Sequence, residues 1–176
     1  MDQFQTMFTL PVFVFFATRY PLFVYNPTIS PIAQFNLLSR LLNWNRAQWI
    51  AARVLFRQAM VEQFEQIYGR DLNSLVGWQK LCFVLAIRPI PNDLEDCRKR
   101  VCATYVNIYD LIVVPWLGFP PIFAYEVDIS KYTLENDMVF PLGEVPRGSL
   151  LEYLLRHIRF PRCRGGRQKG RLRSTS

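Results

Sequence analysis

With 176 residues, 51% of them hydrophobic and 15% aromatic, the chain is long enough to bury a core as one domain, and wholesale disorder is excluded. Its formal charge of +7 is unevenly placed: Arg156 to Ser176 hold eight basic residues and no acid, while the rest of the chain holds 13 Lys and Arg against 14 Asp and Glu. A neutral body thus carries a cationic tail, and such a tail attracts polyanions by releasing their condensed counterions.

The first feature along the chain is an apolar run, Met7 to Ala17 (MFTLPVFVFFA). It is too short to cross a membrane, which takes about 20 apolar residues, and it is interrupted by Pro11 and followed at once by Arg19. A secretory signal would need a positive start, yet the one charge ahead of the run is Asp2, and no small-x-small cleavage site follows. The favoured reading is a strand or short helix that packs its Phe residues onto the core; an exposed surface for docking a partner is the alternative.

A first helix is predicted from Ser30 and Pro31, a hydroxyl cap followed by a proline that loses no hydrogen bond at the first helical position. Ile32, Phe35, Leu38, Leu41 and Leu42 then recur at helical spacing up to Trp44. A second helix, Arg46 to Tyr68, places Trp49, Ala52, Phe56, Ala59, Met60, Phe64 and Ile67 on one side and stops at Gly69. A third, capped by Asn73 or Ser74, carries Leu75, Trp78, Leu81, Cys82 and Leu85 and is ended by Pro89 and Pro91. A fourth starts at Asn92 with Glu95 three residues on, a capping-box pattern, and runs through Leu94, Cys97, Val101, Tyr105, Ile108, Leu111 and Ile112 to Pro115.

Trp116 to Tyr125 is rich in Pro, Gly and aromatics and reads as an irregular packed insert, and Val127 to Phe140 as a short strand or helical turn. Ser149 and Glu152 repeat the capping-box pattern and open a last amphipathic helix with Leu150, Leu151, Leu154, Leu155 and Ile158 on its apolar face, closed by Pro161. The expectation is an all-α protein: a compact bundle of four to five amphipathic helices with an aromatic, Pro-rich insert and a flexible basic tail. Its divisions are 1–14 as an apolar N-terminal extension, 15–160 as the helical domain and 161–176 as a disordered basic tail.

Several blocks carry a family resemblance: FFATRYPLFVYNPTISPIAQFNLLSRLLNW, then FEQIYGRDLNSLVGWQKLCFVLAIRPIPNDLEDCRKRV and YVNIYDLI, and later SKYTLENDMVF and GSLLEYLLRHI. Together they resemble a recurring helical domain of predicted proteins from filamentous and mushroom-forming fungi, over roughly Phe15 to Ile158. The resemblance implies an intracellular helical protein, cytoplasmic or nuclear, with no assigned activity. This chain departs from the pattern at Val24, where the family usually has a charged residue, and in its first fourteen residues and its Pro115 to Ala124 insert.

Catalytic and metal chemistry find little footing in the residues. The one histidine, His157, sits between Arg156 and Arg159 and reads as a helix-surface residue. Asp93, Glu95 and Asp96 are explained by a helix N-terminus, and Asp128, Glu135 and Asp137 are scattered. Cys82, Cys97, Cys102 and Cys163 lack the paired spacing of a zinc site and read as reduced, mostly buried thiols; no cofactor motif is present. Trp44, Trp49, Trp78 and Trp116 read as core, and Tyr68, Asp71, Trp78 and Asn107, near helix ends, as residues that hydrogen-bond across loops to fix the bundle.

The sequence-based expectation is therefore a non-catalytic helical module for binding another protein, with no cofactor and no small-molecule substrate. The alternative is RNA or DNA binding through the phosphate backbone by Arg156, Arg159, Arg162, Arg164, Arg167, Lys169, Arg171 and Arg173. A tail that serves only solubility or nuclear import is the bland counterpart, and contact of the last helix with a membrane surface a further one.

Overall fold

A computed structural model describes residues 9–141, 143 and 145–159, with the backbone alone at 114–117 and 156–159. Among the described residues there are eight helices and no strand: α1 Pro11–Arg19, α2 Pro31–Leu41, α3 Arg46–Tyr68, α4 Leu75–Val84, α5 Leu94–Cys102, α6 Ile108–Leu117, α7 Glu126–Glu135 and α8 Leu150–Arg159. The chain is all-α, as its periodicities predict, but with more and shorter helices than the four to five expected. Among the described residues no helix is long and apolar enough to cross a membrane.

The axis of the bundle is α3. Its 23 residues extend about 34 Å, and it packs against α1, α4, α6 and α8, while α5 packs on α4 and α8. A capping box fixes its start: the Gln48 N–H donates to Asn45 Oδ1 at 2.9 Å and the Asn45 N–H to Gln48 Oε1 at 3.0 Å. It stops at Gly69, whose φ of +89° lies where a side chain is strained. Ala52, Phe56, Ala59, Met60 and Phe64 are buried in the predicted register. At the other contact, a methyl group added to Gly77 of α4 would stand 2.5 Å from the Tyr68 carbonyl oxygen, so glycine is what lets α4 approach the end of α3.

The N-terminal apolar run is a helix, and its Phe residues do pack onto the core. Leu10, Val12, Phe15 and Phe16 are buried, so α1 runs straight through the boundary expected between residues 14 and 15; Val14 stays exposed, and Met7 and Phe8 lie outside the described residues. Phe16 stacks on Tyr25 at 4.8 Å and Phe35 on Phe56 at 4.7 Å, joining α1, α2, α3 and the 20–29 loop through rings. Buried Gln34 secures that loop: it accepts from the Asn26 N–H at 2.6 Å and donates to the Asn26 and Ile29 carbonyls at 2.7 and 3.0 Å. Ser30, predicted to cap α2, makes no side-chain cap bond.

The long fourth helix is two. After α5 the Thr104 hydroxyl donates to the Arg100 carbonyl, and at Asn107 the side-chain oxygen accepts the Tyr109 N–H at 2.9 Å, which starts α6 afresh. The cap of α5 is Asp93, which accepts from the Asp96 N–H at 2.8 Å, in place of the expected Asn92 and Glu95. Helix α4 ends at Val84, ahead of its prolines, through left-handed Ala86 and a bond from the Ile87 N–H to the Cys82 carbonyl. Most of the stretch from Val127 to Phe140 is α7, a ten-residue helix that begins one residue earlier and holds Glu126 and Asp128 in its first turn, rather than a strand.

Helix α6 also continues through Pro115 instead of stopping there. A proline inside a helix has no N–H for the carbonyl four residues back, here Leu111. The Tyr68 hydroxyl supplies the missing donor, bonding Leu111 O at 2.8 Å, and buried Gln63 donates to Ile112 O at 3.0 Å while accepting the Val12 N–H at 3.1 Å. Two polar side chains of α3 thereby tie together α1, α3 and α6 inside the core. In α8 the Ser149 hydroxyl accepts from the Glu152 N–H at 3.1 Å, and the Glu152 carboxylate accepts from the Gly148 N–H at 2.6 Å. Leu150, Leu151, Leu154 and Leu155 are all buried, so the face that a membrane-surface helix would need is packed into the core.

Tyr68→Phe keeps the ring and removes only the donor to Leu111. It should lower the unfolding free energy by about 1–3 kcal/mol, measured by urea denaturation; a variant as stable as the parent would show that this carbonyl does not depend on Tyr68.

Candidate functional site

The polar side chains that the core leaves over converge where α2, α6 and α7 meet. Asn107 holds the start of α6 against α7: its amide donates to Thr133 Oγ1 at 2.8 Å and to the Met138 carbonyl at 3.3 Å. One turn further on, Asp110 faces α7, and the Tyr132 hydroxyl donates to Asp110 Oδ1 at 3.2 Å. From the other side α3 contributes Arg53, which pairs with Asp137 Oδ2 at 3.0 Å, and Arg57, which hydrogen-bonds Tyr109. Asp137 sits in the turn after α7 at φ +53°, so the Arg53 pair holds a strained turn in place.

Asp110 forms part of the wall of an open cleft of about 470 Å³. Ser30, Ala33, Asn36 and Arg40 line it from α2 and its N-cap, and Tyr132, Glu135 and Asp137 from α7 and the turn beyond. The volume is within the roughly 300–1,000 Å³ of ordinary ligand pockets. A second cleft, of about 300 Å³ and mostly apolar, shares Met138 with the first and reaches Leu155. Its Asn107 and Thr133 are bonded to each other, and Glu126 and Ser130 are its other polar side chains.

The electrostatics of the larger cleft rest on Asp110. The residue is 7% exposed, and its Oδ2 is buried without a hydrogen-bond partner among the described residues. Burial pushes the carboxyl up to about 6, with the Tyr132 hydrogen bond opposing the shift. Tyr132 is in turn pushed up to about 12, first by burial and then by the neighbouring Asp110 charge. A phenol so far from neutrality holds its proton and acts as a fixed donor. The hydroxyl therefore holds one oxygen of the Asp110 carboxyl in place.

The cysteines are placed elsewhere. Cys82 and Cys97 are buried and hydrogen-bonded to each other between α4 and α5, and the Cys97 thiol also donates to the Pro91 carbonyl at 3.6 Å. Burial pushes Cys82 up to about 12 and Cys102 to about 11, so both stay thiols at neutral pH. Among the described residues no group of three or more His, Cys, Asp and Glu side chains is arranged to hold a metal ion. Cys163 lies outside the described residues.

Of the basic residues singled out from sequence, Arg156 and Arg159 fall in the last turns of α8, one and four residues beyond the buried Leu155. Arg162, Arg164, Arg167, Lys169, Arg171 and Arg173 lie outside the described residues. Of the residues expected to hydrogen-bond across loops and fix the bundle, Trp78 Nε1 donates to Leu72 O at 2.8 Å and Tyr68 and Asn107 make their interhelical bonds to Leu111 and Thr133, while Asp71 accepts the Asn73 N–H at 2.8 Å within its own turn. Sequence reasoning missed Asp110 and Tyr132. The available signal was Asp110 itself, a lone acid inside the apolar run VNIYDLIVV. Comparison of the chain with protein-family models, curated proteins and solved structures yields no match.

The raised carboxyl makes stability depend on pH in a defined direction. Between the ordinary value of 3.8 and the folded value of about 6, the unfolded chain ionises Asp110 while the folded one keeps it protonated. The stability contributed by this group therefore falls as pH rises through that window, by up to about 3 kcal/mol. Asp110→Asn abolishes the titration, so its unfolding free energy minus that of the parent should increase from pH 4 to pH 7 in chemical denaturation. A difference independent of pH would show that the carboxyl titrates normally.

Proposed function

We propose that this chain is a non-catalytic helical module that binds another protein through the cleft between α2, α6 and α7. The observation that supports this reading is the Asp110 carboxylate, buried at the cleft with one oxygen unpartnered. A buried carboxylate short of donors is costly for the free protein, and a partner that supplies a donor recovers part of that free energy on binding. The frame around it is held from α3 through the Arg53–Asp137 pair and the Arg57 bond to Tyr109, so the site is pre-organised rather than assembled on contact. The block resemblance to the fungal helical domain, and an intracellular location with it, belong to the same proposal.

The acid-free basic run from Arg156 to Ser176 supports a second reading, in which the tail holds RNA or DNA by its phosphates. One experiment separates the two. The full chain, an Ala33→Arg variant that obstructs the cleft from exposed α2, and a chain truncated after Phe160 serve as baits for affinity capture across a salt series. A protein partner recognised by the cleft is lost with Ala33→Arg and kept on truncation; a partner set unchanged by Ala33→Arg rejects the cleft. Nucleic acid held by the tail is lost on truncation and weakens steeply with salt; unchanged nucleic-acid binding by the truncated chain rejects that role.

A further inference from the structure

The charges around the cleft are unequally matched. Three carboxylates line it, Asp110, Glu135 and Asp137, against one cation, Arg40. Asp137 is paired with Arg53 at 3.0 Å, and Glu135 lies 3.8 Å from Lys131 on the exposed side of α7. Arg57, the other cation facing this region, is directed to Tyr109. Asp110 is left with the Tyr132 hydroxyl on Oδ1 and nothing on Oδ2, although it is the most deeply buried of the three. Among the described residues the fold thus encloses a carboxylate and gives it one neutral donor and no counter-charge.

We propose that the cleft receives a protonated side chain of lysine or arginine from a partner protein, with Asp110 as its counter-charge and Tyr132 as the residue that positions the carboxylate. A cation brings both the missing donor and the missing charge, whereas a neutral amide brings only the first. A buried charge with no partner is the costly state, and completing the pair relieves it. Asp110 lines the cleft while its Oδ2 is buried, so the ligand would reach that oxygen through rotation of the carboxyl or a shift of the Tyr132 ring. Tyr132, anchored on α7, keeps the other oxygen engaged meanwhile. The inference rests on reading the cleft as the recognition site and adds the chemistry of what enters it.

The test uses the full chain and three blocked tripeptides, acetyl-Gly-Lys-Gly-amide, acetyl-Gly-Arg-Gly-amide and acetyl-Gly-Gln-Gly-amide, titrated at pH 7.5 with amide NMR shifts as the readout. The lysine or arginine peptide should give saturable shifts at Ala33, Asp110 and Tyr132, with an affinity at least tenfold above the glutamine peptide. Asp110→Asn should remove that preference. Tyr132→Phe keeps the carboxylate, and it should retain the preference whether or not Asp110→Asn folds. Absence of saturable binding by either cationic peptide, equal binding of the glutamine peptide, or an unchanged preference in Asp110→Asn would overturn the proposal. Peptide binding requires no natural partner. A negative result alongside partner capture that Ala33→Arg abolishes therefore rejects the cation and leaves the interaction module standing, while cation binding without any captured partner does the reverse.

Discussion

A proline in the interior of a helix leaves a carbonyl with no partner, and in this protein that carbonyl lies in the core. Pro115 cannot serve Leu111, and α6 persists because Tyr68 reaches across from α3 to bond that oxygen. Gln63, just over one turn earlier on α3, holds the next carbonyl of α6 together with the first-turn N–H of Val12 in α1. Both bonds are buried, so water cannot replace them, and both depend on α3 being capped at Asn45 and stopped at Gly69 in the right register. The position of α6, and with it the outlook of Asp110, follows from these contacts.

The same helix that donates inward from Tyr68 and Gln63 also carries Arg53 and Arg57, which line a neighbouring depression together with Asp137. These pair with Asp137 and Tyr109 and leave Asp110 out, although two guanidinium groups lie on the same side of the bundle. Placing the carboxylate in the first turn of α6, just after Asn107 and bonded to Tyr132, separates it from that charge. Charge in this chain is thus divided in two: a tail that is basic in bulk, and a neutral body in which one buried carboxylate lacks a counter-charge. Bulk charge acts at long range and without selectivity, whereas a single enclosed carboxylate acts only on what comes into contact with it.

Much of the fold was legible in the sequence because most of the helices bury apolar residues at helical spacing. The stripe from Trp49 to Ile67, the Ser74 cap and the leucines of α8 all follow from pattern alone. The misses share a cause, which is that long-range partners override local punctuation. Pro115 reads as a stop because the donor for Leu111 lies more than forty residues away in Tyr68. The break between α5 and α6 is invisible to periodicity, since Tyr105, Ile108 and Leu111 keep the spacing through it; the side chain of Asn107 makes it. α7 reads ambiguously because it buries little beyond Ile129. Asp110 was hidden for the opposite reason, an acid within an apolar line, and only the fold shows that no cation has been placed beside it.

The central claim is that the frame built on α3 keeps the Asp110 carboxylate buried and short of partners at the cleft. Its most direct test is an NMR titration of the Asp110 side-chain carboxyl carbon in the intact protein. The account predicts a midpoint displaced to about 6. A midpoint at the ordinary value near 3.8 would contradict it, because a carboxylate that titrates like a solvated one is neither buried nor in need of a cation.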